Sequence, residues 1–282
     1  MSSSLRALQS RHQAWCSFRD IAHATRSLAA SRRSRWAGHA QRSGEHLAWV
    51  WALAKLLPAP PRPQLRPKIL VGIGTDLGLC GRLNPLVADA FLRRRAELKP
   101  ALSVAIGERL GQVLDEHGLL AEGPAQIAYE SAPVSPAAVL ELAERLELSL
   151  AKLGLQEAQL DLVAAVSEDA GVPDVRCEPS LPAALEGDVR AVEAQLYRER
   201  RVLSDLAAGR ESVLALLRHA RLAHAFCRAQ VVESAVRWTV MHRAHEGAQR
   251  RIGEQELELR RLRQEEITQE MLDVVAGRGI GV

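Results

Sequence analysis

The chain has 282 residues, 47% of them apolar and only 4% aromatic, so it can bury a substantial core and that core is aliphatic. No apolar run reaches the roughly 18–20 residues that span a bilayer; the nearest, Leu47 to Leu57, is too short and carries Lys55, which limits membrane association to a peripheral one. The net charge of +3 conceals a polarity: Met1 to Leu57 holds nine Lys and Arg against Asp20 and Glu45, whereas Lys68 to Ala208 is net acidic, a pattern open to nucleic acid, an anionic surface or an acidic protein partner.

The opening MSSSLRALQSRHQAWCSFRD has the Ser- and Arg-rich, acid-poor composition of a transit peptide. It also carries a helical seam. Trp15, Phe18, Ala22, Thr25 and Ala29 follow a 3,4,3,4 spacing, with Leu8 one heptad earlier and Ile21 and Leu28 widening the face. All 13 prolines lie between Pro58 and Pro182. Because proline breaks helix interiors, both ends of the chain are free to form long helices.

After the stiff connector Pro58 to Pro67 (PAPPRPQLRP) the pattern changes. Lys68 to Ile73, Leu102 to Ile106, Ile127 to Ser131 and Leu160 to Val166 read as strands. Between them, Asn84 to Lys99, Gly107 to His117 and Pro136 to Leu153 read as helices. That alternation predicts a small parallel sheet covered by helices, a Rossmann-like α/β domain. The stretch Leu185 to Gly209 reads as helix or as an irregular return.

From near Arg210 to near Ala276 the seam resumes through Leu217, Ala220, His224, Cys227, Val231, Ser234, Trp238, Met241, His245, Ala248 and Ile252, prolonged by Leu259 and Leu262. A helix of this extent is roughly 100 Å long at about 1.5 Å per residue. One small domain cannot bury it, and the simplest partner for each small-residue seam is the other. The expected fold is therefore α/β: a long antiparallel two-helix coiled coil from the N- and C-terminal helices plus the central domain. The expected divisions are 1–57 for the first helix, 58–67 for the connector, 68–208 for the α/β domain and 209–282 for the last helix.

Several residues invite chemistry. Gly72, Gly74 and Gly78 follow an apolar strand, as phosphate-binding glycines do, but the spacing is GxGxxxG and no Gly-Lys-Ser/Thr loop occurs. Gly78 and Gly81 instead fit a tight strand-to-helix connection with Cys80 packed inward. Asp76 has no partner acid or His nearby in sequence, so a helix N-terminal contact or a turn is expected rather than acid–base work. His224 and His245 lie three heptads apart, too far to share a metal, and read as packed seam residues. Cys16, Cys80, Cys177 and Cys227 form no CxxC or Cys/His cluster and read as reduced, mostly buried side chains of a cytosolic protein. The run SRRSR, Ser31 to Arg35, has only Trp36 as an aromatic neighbour, and fits a solvated or protein-docking basic face better than a nucleic-acid site.

Three motifs, in order, carry a family resemblance: LAASR (Leu28 to Arg32), TDLGLCGRLN (Thr75 to Asn84) and ITQEMLDVVAG (Ile267 to Gly277). The chain resembles the gamma subunit of F-type ATP synthases, whose corresponding patterns are VAASK, SDRGLCGGLN and a terminal ITQE before an apolar pair and a Gly. Leu77 and Arg82 depart from the family's Arg and second Gly, which leaves open a housekeeping synthase or a specialised second ATPase. The resemblance implies that the first helix begins where the family's does, with no transit peptide before it.

It also implies a rotating central stalk without catalytic residues, cofactor or metal of its own. Partners would be the alpha and beta subunits of the catalytic hexamer, the epsilon subunit and the membrane ring of c subunits, at the cytoplasmic side of a bacterial inner membrane, with no nucleic acid or small-molecule ligand. Arg263, Gln264 and Thr268 match the family residues that hydrogen-bond the catch loop of a beta subunit, and Arg237 matches a coupling contact along the shaft. Asp76, Gly78, Leu79, Cys80, Gly81, Leu83 and Asn84 match the conserved-pattern positions of the central motif. The rival readings are a nucleotide-binding α/β protein with coiled-coil dimerisation arms and a basic coiled-coil nucleic-acid binder; the missing phosphate loop weighs against the first and the acidic middle against the second.

Overall fold

In a computed structural model the described residues are 3–55, 67–116, 127–155, 158–166, 174–178 and 210–278. Two long helices, α1 (Ser3–Lys55) and α5 (Arg210–Arg278), enclose a five-stranded α/β region in sequence. The chain forms two compact units, one of Met1–Ala29 with Trp238–Val282 and one of Ala30–Arg237.

In the first unit α1 and α5 pair antiparallel. His12 meets Glu256 at 3.7 Å, the His23 and His245 rings lie 5.7 Å apart, and Arg26 bonds His242 at 3.0 Å, so one helix advances as the other recedes at a constant register. Leu5, Leu8, Ala22 and Ala29 are buried on α1, and Met241, Ala248, Ile252 and Leu259 on α5. Leu5, Leu8 and Leu259 form a small cluster with Leu262 at its edge. The α5 seam read from sequence is the one that packs, from Trp238 through Met241, His245, Ala248 and Ile252 to Leu259 and Leu262.

The α1 seam differs from its sequence reading. Trp15, Ala22 and Ala29 face inward, but Phe18, Ile21 and Leu28 are 43%, 63% and 58% exposed. Half-buried His12, Arg19 and Arg26 take the intervening positions. Steps of 3,4 and 4,3 between heptad positions are both compatible with a seam, and the apolar side chains favoured the wrong one. Phe18 turns onto its own helix instead, edge-on to Trp15 with ring centroids 5.7 Å apart.

In the second unit the sheet has the order β3-β2-β1-β4-β5, built from β1 (Lys68–Ile73), β2 (Leu102–Ile106), β3 (Ile127–Glu130), β4 (Gln159–Ala165) and β5 (Val175–Glu178). The first four pair in parallel with β1 central, Ile69 opposite both Leu102 and Leu160. The edge strand β5 runs antiparallel to β4, so the sheet is mixed rather than all-parallel. VRCE is too short and too polar to announce a strand, and it exists because the β4 edge offers a ladder to pair with.

Alternation along each strand divides the core. Leu70, Ala105 and Val163 face α2 (Leu83–Leu98) and α3 (Glu108–Glu116) around Phe91, Leu110 and Leu114. Ile69, Val71, Ile73, Val104, Leu160 and Leu162 face the other side, where α4 (Pro136–Lys152) packs with Leu222, Phe226 and Cys227 of α5 and Trp36 of α1. Trp36 and Phe226 meet edge to face, centroids 5.8 Å apart. Proline at the start of α4 follows Ser135, whose Oγ accepts from the Ala138 N–H and caps the helix. Segments of both long helices are thus part of the core of this unit.

Polar anchors hold α5 within this unit. Arg218 of α5 makes a two-pronged pair with Glu147 of α4, both contacts at 2.6 Å, and Arg221 donates to the Leu160 carbonyl at 2.6 Å. Of the sequence-stretch Leu185 to Gly209 and the connector from Pro58 to Arg66, all lie outside the described residues.

Candidate functional site

The segment Thr75 to Asn84 links β1 to α2 at the point where strand order reverses, since β2 and β4 flank β1 on opposite sides. Folds of this topology bind ligands in the crevice at the carboxyl ends of those strands. Here α5 crosses the same place. Arg228 donates to the Val166 carbonyl just past β4 (3.5 Å), and Arg237 donates to the Gly78 carbonyl (3.4 Å) and the Cys80 sulfur (3.1 Å) just past β1. The chain's own helix thus reaches the ends of both strands, and Gly72 and Gly74 serve packing.

Their geometry supports this. A Cβ on Gly74 would lie 2.5 Å from the Leu110 Cβ and 2.7 Å from Asn84 Oδ1, and one on Gly72 would lie 2.7 Å from the Phe91 ring. These residues let α2 and α3 sit directly on β1. Gly78, by contrast, has 3.9 Å to its nearest neighbour. The turn itself is made by Leu79 and Gly81, both in the left-handed region at φ 66° and 55°. Asn84, at the start of α2, accepts from the Thr75 N–H and donates to Thr75 Oγ1, each at 3.0 Å, while that hydroxyl donates to the Leu77 carbonyl at 2.9 Å. Leu83 is buried beneath it, and Leu77 and Leu79 are exposed.

Asp76 caps a neighbour: its Oδ1 accepts from the Glu108 N–H at 2.7 Å, at the start of α3, and from the Ala132 N–H at 2.9 Å. That is the helix N-terminal contact expected of it. Cys80 is buried, and burial together with nearby Glu233 pushes its thiol up to about 11 against the opposing pull of Arg237. It is an inert thiol that accepts a hydrogen bond.

Arg237 and Glu233 form an ion pair at 2.6 Å with side chains only 6% and 5% exposed, and Gln230 donates to Glu233 at 2.9 Å. Burial raises the Glu233 carboxyl above its ordinary range, with Arg237 the chief opposing influence. Among the described residues Arg237 meets Glu233 on its own helix and Gly78 and Cys80 on the central motif. Sequence reasoning did not connect Arg237 with Cys80, 157 residues apart; the signal available was a charged pair, Glu233 and Arg237, spaced i,i+4 on an otherwise small-residue seam.

Arg263, Gln264 and Thr268 lie in the other unit, on the last turns of α5, and all three are exposed. Thr268 Oγ1 donates back to the Gln264 carbonyl at 2.8 Å. Every side chain from Ile267 to Gly277 is exposed, among them Ile267, Met271, Leu272, Val274 and Val275 at 57–68%. Such a run of exposed apolar residues on one helix marks a surface built to be covered. Arg261 pairs with Glu265, and Gln269 with Asp273, along the same helix. His224 hydrogen-bonds Ser43 Oγ at 3.2 Å and sits beside Gly44, and His245 packs on His23, so both seam histidines are packed side chains. Among the described residues no cluster of three or more His, Cys, Asp or Glu could hold a metal, and no helix is long and apolar enough to cross a membrane.

A family model described as ATP synthase matches residues 4–279. No curated protein sequence matches. Among solved structures, the chain is similar to one in the rotor of the Euglena gracilis mitochondrial ATP synthase in rotational state 1, with a TM-score of 0.63 at 11% identity, covering 94% of this chain and 99% of that one. It is similar to a chain of the Tetrahymena thermophila mitochondrial ATP synthase central stalk and c-ring, with a TM-score of 0.53 at 18% identity over 79% and 99%. A chain of the E. gracilis OSCP/F1/c-ring assembly in rotational state 3 gives 0.62 at 12% identity over 99% and 97%. At these identities the structures speak to the fold, and the family match over nearly the whole length speaks to kinship. The chain belongs to the F-type ATP synthase gamma family, as a non-catalytic central-stalk subunit.

Proposed function

We propose that this chain turns inside a ring of alternating alpha and beta subunits, and that the exposed end of α5 is the part that couples its rotation to their catalytic sites. The observation that carries this reading is the run from Arg263 to Gly277, which offers Arg263, Gln264 and Thr268 beside five large exposed apolar side chains on a single helix. Arg263 and Gln264 supply donors for a carbonyl- or carboxylate-bearing loop of a beta subunit, and the apolar residues supply a bearing surface. Apolar contact is non-directional, so it resists rotation past three equivalent neighbours less than fixed polar pairs do. The hydrogen-bonding trio then gives each beta subunit a contact that depends on shaft angle, which shifts its site between open and closed states.

The α/β region and the helices packed on it serve as the foot. Its partners in this reading are the epsilon subunit and the c-subunit ring, with the complex attached peripherally to the cytoplasmic side of a bacterial inner membrane. Arg237 and Glu233 serve inside the foot by holding the Thr75–Asn84 connection against α5, a positioning role.

The test is an Arg263→Ala, Gln264→Ala, Thr268→Ala triple variant in the assembled complex. ATP hydrolysis coupled to ion pumping is expected to fall by about tenfold or more, the loss of roughly 1.4 kcal/mol or more of angle-dependent contact, while the thermal midpoint of the free chain stays unchanged. Unchanged coupled activity would remove the trio from the mechanism.

A further inference from the structure

The two faces of the sheet are filled differently. Toward α2 and α3, Phe91 lies so close to β1 that a Cβ on Gly72 would stand 2.7 Å from its ring. Toward α4, β1 and β2 present the aliphatic Val71, Val104 and Ile106, and α4 meets them with Leu142 and Leu146. Between these side chains and Leu222 of α5 lies a cavity of about 220 Å³. Protein interiors hold few voids larger than a water molecule, and an apolar cavity of roughly 150 Å³ is already large enough to bind benzene.

Leu142, Leu146 and Ser149 of α4, with Leu153 at its C-cap, recur at steps of 4, 3 and 4 and form one stripe along the cavity. Exposure along that stripe rises from 3% at Leu142 to 58% at Leu153, so the cavity opens to solvent. Two polar side chains line it, and both offer acceptors. Glu130, at the end of β3, gives Oε2 to Arg145 at 3.1 Å, and its Oε1 has no partner among the described residues. Ser149 Oγ donates its proton to the Arg145 carbonyl at 2.9 Å, which leaves lone pairs on the hydroxyl oxygen.

We propose that this cavity is a binding site for a small, largely hydrocarbon molecule carrying one hydroxyl, a phenol or a medium-chain alcohol. Its apolar body lies among Val71, Val104, Ile106, Leu142 and Leu222, each no more than 4% exposed, and is removed from water there. Its hydroxyl donates to Oε1 of Glu130. A carboxylate head would meet the charge of Glu130, and an ammonium head would meet the Arg145 guanidinium beside it, so the neutral donor is the head group that the rim favours. The site does not rest on the coupling role of the exposed end of α5.

The experiment titrates the full chain, its Ile, Leu and Val methyl groups labelled with carbon-13, with 4-propylphenol and with propylbenzene, and follows the methyl signals by NMR. Both probes are expected to shift Val71, Val104, Ile106, Leu142 and Leu146 saturably, with a Kd below about 1 mM for about ten buried non-hydrogen atoms. Leu114 and Val163, on the opposite face of the sheet, are expected to stay in place. Glu130→Met is expected to weaken the phenol about threefold or more, through loss of a charge-assisted hydrogen bond, and to change propylbenzene by less than about twofold. Leu146→Phe, which fills the cavity, is expected to weaken both probes about tenfold or more. In the native chain, no saturable shift up to the solubility limit, or shifts spread equally over both faces, would overturn the site. Equal effects of Glu130→Met on the two probes would overturn the hydroxyl-bearing class of ligand. Should Leu146→Phe fail to fold, the native titration decides.

Discussion

Gly74 and Gly78 occupy similar places in the sequence and opposite places in space. A Cβ at Gly74 meets Leu110 and Asn84 inside 3 Å, so Gly74→Ala is expected to cost about 1–3 kcal/mol by overpacking. Gly78→Ala, with nothing nearer than 3.9 Å, is expected to change stability by less than about 0.5 kcal/mol. Denaturant unfolding of the two variants checks this, and equal costs would refute the packing role assigned to the first glycine. The buried pair at Arg237 gives a second residue-scale prediction. Arg237→Met leaves Glu233 charged and uncompensated, and the expected loss is about 3–5 kcal/mol. Because burial already raises the Glu233 carboxyl, that group takes up a proton more readily when folded than when unfolded. Its contribution is present in acid and lost as pH rises, so the Arg237→Met defect is expected to shrink between pH 7 and pH 5, measured by unfolding at both.

At the scale of elements, the legible part of the sequence was periodic. The strands β1, β2 and β4 are continuous apolar runs, and their sequence boundaries differ from the observed ones by no more than a residue or so. The α5 seam was legible because small and apolar residues repeat over many heptads without a competing register. The α1 seam was only half legible: Ala22 and Ala29 fit either register, and the choice between Phe18 and Arg19 is settled by what α5 presents, which one helix alone does not record. A direct check follows. Ile21→Lys, on the exposed side, is expected to leave stability within about 0.5 kcal/mol, whereas Ala22→Leu forces bulk into the seam at a cost of about 1–3 kcal/mol. Circular-dichroism melts of the two variants give the comparison, and a reversed order would restore the register read from sequence. The strand β5 was not legible, because its four residues owe their conformation to pairing with β4 rather than to their own pattern.

For the whole molecule, function was legible through three short motifs and their order, and their roles differ. TDLGLCGRLN is structural: Asp76 caps α3, Asn84 binds Thr75, and Cys80 rests on Arg237. The terminal motif is exposed, and among the described residues nothing covers the row of Ile267, Met271, Leu272, Val274 and Val275, which the proposed function assigns to a partner surface. Arg237 lies on the boundary of sequence reasoning, since its partners are 157 and 159 residues away and only the fold brings them together.

The most direct test is co-assembly of the full chain with alpha and beta subunits, read by size-exclusion chromatography with mass determination and by ATP hydrolysis. The account predicts a complex holding one copy of this chain for three alpha and three beta subunits, with hydrolysis that depends on the chain's presence. A chain that remains a monomer or homodimer beside those subunits, and leaves their activity unchanged, would contradict it.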